Sequence, residues 1–519
     1  MTVRALIKPS EYHDSVSLML VARELSKLED VKDAAVVMAT EANKSILAES
    51  GLLTEQINKA TPNDLVIAIN ATDASKAEHA IEKADQLLKK KVTSGEEGAF
   101  KPKTLRGALA SNPGANLAVI SVAGRYAAEE AWDALYSGLH VLLFSDNVSL
   151  EDEIALKKYA REHGLLLMGP GAGTAILNGV ALGFANALPL GPVGIVSAAG
   201  TGLQEVSTLL ARRGVGISQG IGTGGRDLKQ EVGGIMMLEA LKALQEDPAT
   251  EVLVLISKPP AKQVAQTILK QVSVSTKPTV ICFLGGELDA VTKIPNTIPA
   301  RTLYECSLLA AKAVQPEMGA IPALLEAEQA ALSKQASRLK SRLNAKQKYL
   351  RGLFSGGTLC YEAQVIWKKM LASPVYSNAP LPGEPALVDA TKSQAHTAVD
   401  LGEEEFTVGR PHPMIDNDLR IRRLLQEARD PQVGVIMLDI VLGYGAHPDP
   451  ASELGEAIEE ARRLGRSENR EILVIAAVTG TQDDPQGLEH TASTLEQAGA
   501  IVCESNYAAA RLTGMIVTS

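Results

Sequence analysis

Two short stretches set hydroxyls and glycines where an apolar run ends and a helical pattern begins. The first is Ser197-Ala-Ala-Gly-Thr201 within "GIVSAAGTGLQEV" (194–206), and the second is Ser355-Gly-Gly-Thr358 within "GLFSGGTLCYEA" (352–363). In each, a Glu follows four residues after the Thr, at Glu205 and Glu362. A strand that stops in such a loop leaves unpaired backbone N–H groups at a helix N-terminus, where the helix dipole favours negative charge. The plain alternative is that Ser and Thr only cap the helices. Two copies favour a shared anion site made of Ser197, Gly200, Thr201, Ser355, Gly356, Gly357 and Thr358. Two helix N-termini aimed at one point suit a phosphate or a phosphorylated intermediate without a metal.

Other loops at strand ends fit the same site. "GIGTGGRDLKQEVGG" (220–234) offers Gly224, Gly225 and Arg226, and "DLGEEEFTVGRPHPMID" (400–416) offers Arg410 and His412. An Arg in a Gly-rich loop is a fork for carboxylate or phosphate, or else one half of a surface ion pair. Lys258 leaves a strand into "KPPA" as an anion ligand or as a solvated charge. Arg226, Arg410 and His412 are the candidates for catalysis, and the sequence names no general base. Cys282, Cys306, Cys360 and Cys503 are far apart and form no CxxC pair. They read as reduced, buried thiols of a cytoplasmic protein, and no metal site is expected.

The elements that must position these residues follow from the alternation of apolar runs and helical periods. The expected fold class is α/β. A small N-terminal α/β domain covers 1–92, and a Rossmann-like domain covers 105–190. A first parallel-sheet domain covers 191–316, a helical linker 317–347, and a second parallel-sheet domain 348–519. "ALQEDPATEVLVLISKPPA" (243–261) parallels "LLQEARDPQVGVIMLDIVLGYGA" (424–446), so the last domain reads as a duplicate of the third. The chain has 519 residues, 45% apolar and only 3% aromatic, which suits buried parallel strands of small and branched residues. A net charge of -10 without a basic tract argues against nucleic acid and anionic membranes as partners. No apolar run has the length of a membrane span.

The third unit, "GPVGIVSAAGTGLQEV…GIGTGG…EDPATEVLVLIS…KPTVICFLGG", resembles the ligase domain of the succinyl-CoA synthetase α subunit. "GLLLMGPGAGTAI" (164–176) is similar to the end of that subunit's CoA-binding domain, and the last unit to the carboxyl-terminal ligase domain of its β subunit. The resemblance therefore implies an α–β fusion with flavodoxin-like ligase domains and without the ATP-grasp domain. Over nearly its full length the chain resembles the FdrA family, through "DSVSLM" (14–19), "LLFSDNVSLEDEIALK" (142–157), "GTGGRDL" (222–228), "RGLFSGGTLC" (351–360) and "VGRPHPMID" (408–416). That resemblance implies carbamoyl transfer of the oxamate carbamoyltransferase kind, from oxalurate and phosphate to oxamate and carbamoyl phosphate. It also implies FdrA-operon partner subunits in an oligomer, and CoA as the one candidate cofactor. Two departures stand out. The loop after "KPTV" lacks the phosphorylated His of succinyl-CoA synthetase, since no His occurs between His163 and His396. Gly171 and Ala172 stand where FdrA relatives usually carry Asp-Cys. The competing readings are an NDP-forming acyl-CoA synthetase subunit and a non-catalytic scaffold.

Overall fold

The computed structural model describes residues 2–518 except 12, 14–17, 19–20, 23, 26–27, 29, 41–42, 45–46, 49, 93–101, 103, 123 and 408–410. The chain forms two compact units, Met1–Pro113 with Glu404–His412, and Gly114–Glu403 with Pro413–Ser519.

In the first unit, β1 (Thr2–Lys8), β2 (Val31–Met38) and β3 (Leu65–Ala71) form an antiparallel sheet in the order β1-β3-β2. The central strand reads LVIAINA and is buried along almost its whole length. Both of its faces are covered, and a strand covered on both faces needs a continuous apolar run. Leu18, Val21, Leu25 and the Ala77/Ala80/Ala84/Leu88 stripe of helix Ala74–Val92 pack on one side. Leu47, Leu52 and Ile57 pack on the other. The sequence pattern predicts a helix over 15–28 and a polar, Gly-rich linker over 91–104, and most of both stretches lies outside the described residues.

The second unit opens with a small parallel sheet of β4 (Leu117–Ile120), β5 (His140–Leu143) and β6 (Leu167–Met168). The expected boundary at 190 is displaced. Residues 174–183 do not stay with β6. They form a hairpin of β7 (Thr174–Leu177) and β8 (Val180–Gly183), and β7 pairs antiparallel with a strand of the next sheet. The cause is local: Asn178-Gly179 is a two-residue turn with both φ values positive, 49° and 79°, the preferred chemistry for reversing two strands.

The next sheet adds β9 (Leu190–Ser197), β10 (Ile217–Gly222), β11 (Val252–Ser257), β12 (Thr279–Phe283) and β13 (Thr297–Pro299), in the order β13-β12-β11-β9-β10-β7-β8. The last sheet contains β14 (Tyr349–Phe354), β15 (Val375–Ser377), β16 (His396–Asp400), β17 (Val433–Val441), β18 (Leu473–Thr479) and β19 (Ile501–Cys503), in the order β15-β16-β14-β17-β18-β19. The five core strands follow one scheme in both sheets, with the second, first, third, fourth and fifth strands side by side. That is the doubly wound order whose ligands lie at the carboxyl ends of the strands. The expected duplication is thus present at the level of topology. The linker helix, Ile321–Lys340, buries Leu332, Ala336 and Leu339 in the large core shared by the two sheets, so it is part of the packing and not a solvated tether.

Candidate active site at the paired helix ends

Helix Gly200–Arg212 begins just beyond β9, and helix Gly357–Met370 just beyond β14. The two starts meet. A Cβ on Gly356 would lie 2.8 Å from Thr201 Cγ2, and one on Gly202 would lie 3.1 Å from Thr358 Cγ2. Only glycine permits this reciprocal approach. A local pseudo-twofold relates the contacts. Glu205, on the first helix, accepts the Asn506 N–H at 2.8 Å at the start of helix Asn506–Val517. Glu362, on the second, accepts the Leu303 N–H at 2.6 Å at the start of helix Leu303–Val314. Tyr304 and Tyr507 then stack with ring centroids 5.6 Å apart and planes 1° apart. The duplicated Glu of each turn therefore caps the closing helix of the other half. Burial pushes both carboxyls up, Glu362 to about 7, against the hydrogen bonds that pull them down.

The two ends differ in detail. At the first, Ser197 Oγ donates to the Ala199 carbonyl at 2.7 Å and accepts the Ala199 N–H at 3.0 Å. Ser197 therefore closes its own turn and is not the free donor expected. Thr223, just past β10, and Ser257, the last residue of β11, flank it, and their buried hydroxyls have no partner among the described residues. At the second end, Asp439 of β17 takes the place expected for an external anion. Its Oδ1 accepts the Ser355 N–H at 2.7 Å and the Ser355 hydroxyl at 3.1 Å, and its Oδ2 accepts the Gly356 N–H at 2.7 Å. The buried Arg420 guanidinium lies 3.1 Å from Oδ1 and balances the charge. Ser355 and Gly356 are thereby corrected from ligands of phosphate to ligands of an internal carboxylate. The first-turn N–H groups of Gly200, Thr201 and Gly202, and of Gly357 and Thr358, have no helical partner.

A second carboxylate, Asp400 at the end of β16, also reaches this end and is only 2% exposed. Its Oδ2 would stand 2.6 Å from a Cβ on Gly357, while its Oδ1 accepts the Gly402 N–H at 3.0 Å. Burial, reinforced by Glu403, raises Asp400 to about 7, with Lys258 acting in the opposite direction. Lys258 is exposed, and its ammonium lies 5.3 Å from the centroid of the Tyr361 ring on the second helix. Burial first, and then Asp400, pushes the Cys360 thiol well above its usual range, so it is not a ready nucleophile.

Arg226 is not a free fork. Its Nε lies 2.8 Å from Glu153, and it donates to the Val148 carbonyl at 2.8 Å. Beside it the fully buried Lys157 bonds Glu153 and Asp227, both at 2.8 Å, and Asp227 accepts the Met237 N–H at 2.8 Å. This network fixes the 223–237 loop. Gly224 serves the same packing, since its φ is 87° and a Cβ there would lie 2.6 Å from the Pro170 carbonyl oxygen. Gly225 is free of close neighbours, with the Ala198 carbonyl oxygen at 3.9 Å from a Cβ. Arg410 lies outside the described residues, and His412 belongs to the first unit, whereas every residue of the paired ends belongs to the second. The sequence reading missed Asp400, Asp439 and Arg420. Two of them carry a visible signal, an Asp at or near the carboxyl end of an apolar strand in "HTAVDLG" and "VIMLDIV".

Three family models match the chain: AllF, heavy metal-associated domain, over residues 1–103; CoA binding domain over 190–285; and CoA-ligase over 353–516. Uncharacterized protein YahF of Escherichia coli (strain K12) is 44% identical over 511 residues, 98% of this chain and 97% of that one. The chain belongs to the FdrA family. This FdrA protein is also similar to succinate–CoA ligase [ADP-forming] subunit alpha 1 of Archaeoglobus fulgidus, 29% identical over 178 residues, 33% of this chain and 58% of that one. Among solved structures, PH0766 from Pyrococcus horikoshii OT3 matches at 15% identity and a TM-score of 0.33, covering 81% of this chain and 87% of that one. The FdrA protein thus joins CoA-binding and CoA-ligase domains in an acyl-CoA-ligase-like chain. The CoA-binding match falls on the seven-stranded sheet, whereas the sequence reading gave that role to 105–190.

The heavy-metal description of the first domain is not matched by the donor residues it contains. Residues 1–103 contain no Cys, and their only His are His13 and His79. No group of three or more His, Cys, Asp or Glu side chains able to hold a metal occurs among the described residues. That donor set does not fit a soft heavy metal, which selects thiolates. At the carboxyl edge of β4–β6, a Cβ on Gly124 would lie 2.0 Å from the Asp146 carbonyl oxygen, and one on Gly171 2.5 Å from Asp146 Oδ1. Those glycines serve internal packing. No helix among the described residues is long and apolar enough to cross a membrane.

Proposed function

We propose that this FdrA protein transfers a carbamoyl or other small acyl group to phosphate at the paired helix ends, as part of an assembly with partner subunits. The oxamate carbamoyltransferase reaction, oxalurate and phosphate to oxamate and carbamoyl phosphate, is the specific form of this reading. The observation that carries it is the meeting of the two helix starts at Thr201/Gly356 and Gly202/Thr358. Two sets of first-turn N–H groups then act on one anion in a partly dry site, where such donors are strongest. The unpartnered Ser257 and Thr223 hydroxyls at the adjoining strand ends and the Lys258 ammonium support it. The missing His agrees with it, because attack by phosphate on an acyl carbon needs a held phosphate and no phosphohistidine.

A second reading, an NDP-forming acyl-CoA synthetase subunit, is favoured by the CoA-binding and CoA-ligase matches. Thermal shift and calorimetry with phosphate, carbamoyl phosphate, oxamate and CoA, with and without the partner subunits, separate the two. Stabilisation by phosphate and carbamoyl phosphate supports the first reading. Stabilisation by CoA alone overturns it in favour of the second.

A further inference from the structure

Acyl transfer from an amide to phosphate has a proton problem. The phosphate oxygen–carbon bond forms, the carbon–nitrogen bond breaks, and the departing nitrogen must take a proton, because an amide anion is a poor leaving group. The balance closes internally, since the proton lost by hydrogen phosphate is the one the nitrogen gains. A group beside the held phosphate must carry it across.

We infer that Asp400 is that proton carrier. Its place is set by backbone contacts that do not involve the carboxyl: the Asp400 N–H donates to Asn378 Oδ1 at 2.9 Å, and Asn378 Nδ2 donates to the Asp400 carbonyl at 2.9 Å. Oδ1 is occupied by the Gly402 N–H. Oδ2 stands over Gly357, the first residue of the second helix, where the N–H groups without a helical partner begin. The charged and titratable groups around it come from every neighbouring element: Glu403 on its own loop, Lys258 from the end of β11, Asp439 from β17 and Cys360 from the second helix. Asp439 is already committed to Ser355, Gly356 and Arg420, and Cys360 holds its proton, which leaves Asp400 as the exchangeable carboxyl at this end. A dianion arriving on the helix ends adds negative charge beside Asp400 and draws a proton onto it. The protonated carboxyl then gives that proton to the leaving nitrogen and is recharged by the attacking hydrogen phosphate.

The inference rests on the anion-site reading above, and the test separates the two. Calorimetry of the full chain at pH 8, with sulfate as a dianion that does not itself titrate, is run in two buffers of different ionisation heat. Wild type takes up a fraction of a proton, up to one, per sulfate bound. Asp400→Asn binds sulfate within about tenfold of wild type and takes up none. Infrared spectra of wild type with 13C-labelled aspartate give a measure that needs no variant, a protonated-carboxyl band that grows on adding sulfate. Binding without proton uptake, or uptake that persists in Asp400→Asn, overturns the inference alone. Wild type that binds neither sulfate nor phosphate overturns the anion site and the inference with it.

Discussion

The two turns of the duplicated motif share a backbone and differ in charge. The first, at Ser197–Thr201, is closed by one serine hydroxyl and is flanked by two unpartnered hydroxyls. The second, at Ser355–Thr358, is filled by a carboxylate that a buried guanidinium balances, with a second buried carboxylate alongside. Duplication has kept the helix-start geometry, which depends on Gly and on strand order. It has let the electrostatics diverge, so one end offers donors and the other offers donors beside a proton-holding acid. On the proposed reading, the two ends share the anion and the second end alone supplies the proton.

The sharpest way to break this comparison is at Arg420. Replacing it by Met leaves Asp439 charged and unpaired in the interior, at an expected cost of about 3–5 kcal/mol. The matching change at the first end, Ser197→Ala, removes only the two hydrogen bonds of one turn and is expected to cost about 1 kcal/mol. Equal losses in denaturant titrations of the two variants would erase the distinction.

The next effect depends on pH. The folded Asp400 titrates near 7, against 3.8 for its ordinary value. Between those values the native state keeps a proton that the unfolded state has lost, so stability falls as pH rises through the window and levels off above 7. Asp400→Asn lacks this fall. Its stability relative to wild type should therefore rise between pH 4 and pH 8, on the order of 3 kcal/mol, as read from unfolding curves at both pH values. A pH-independent difference would contradict the buried, proton-holding acid.

The cross-caps come third, because there the halves should behave alike. Glu205→Ala and Glu362→Ala each strip a buried helix start of its acceptor, and each should cost about 1–3 kcal/mol. A loss confined to one of them would show that the pseudo-twofold is only apparent.

The smallest effect contrasts two glycines. A Cβ at Gly357 meets Asp400 Oδ2 at 2.6 Å, so Gly357→Ala forces a shift and should cost about 1–3 kcal/mol. A Cβ at Gly200 meets only Thr174 Oγ1 at 3.4 Å, and Gly200→Ala should stay within about 0.5 kcal/mol of wild type by thermal melting.

Most strands of the two large sheets were legible in the sequence. β11 and β17 are buried on both faces and so read as unbroken apolar runs. The hairpin at Asn178-Gly179 carried an equally clear turn signal, yet a Gly-rich context drew it into the preceding domain. The helix starts were legible: Gly200, Thr201, Gly357 and Thr358 lie in the first turns where the pattern put them. Arg226 takes the ion-pair alternative, and its partner was not legible because Glu153 is 73 residues away, on helix Leu150–Glu162.

The sequence by itself determined that this chain writes one strand–turn–helix unit twice, that Gly and Thr stand at both helix starts, and that no His occurs between His163 and His396. These are local facts, set by residue type and short spacing. Only the tertiary structure decided what sits against each start. Asp439 lies 84 residues from Ser355, and Glu205 lies 301 residues from the N–H it caps. Charge in a buried site is fixed by whichever strand ends fold against it, and chain distance carries no record of that.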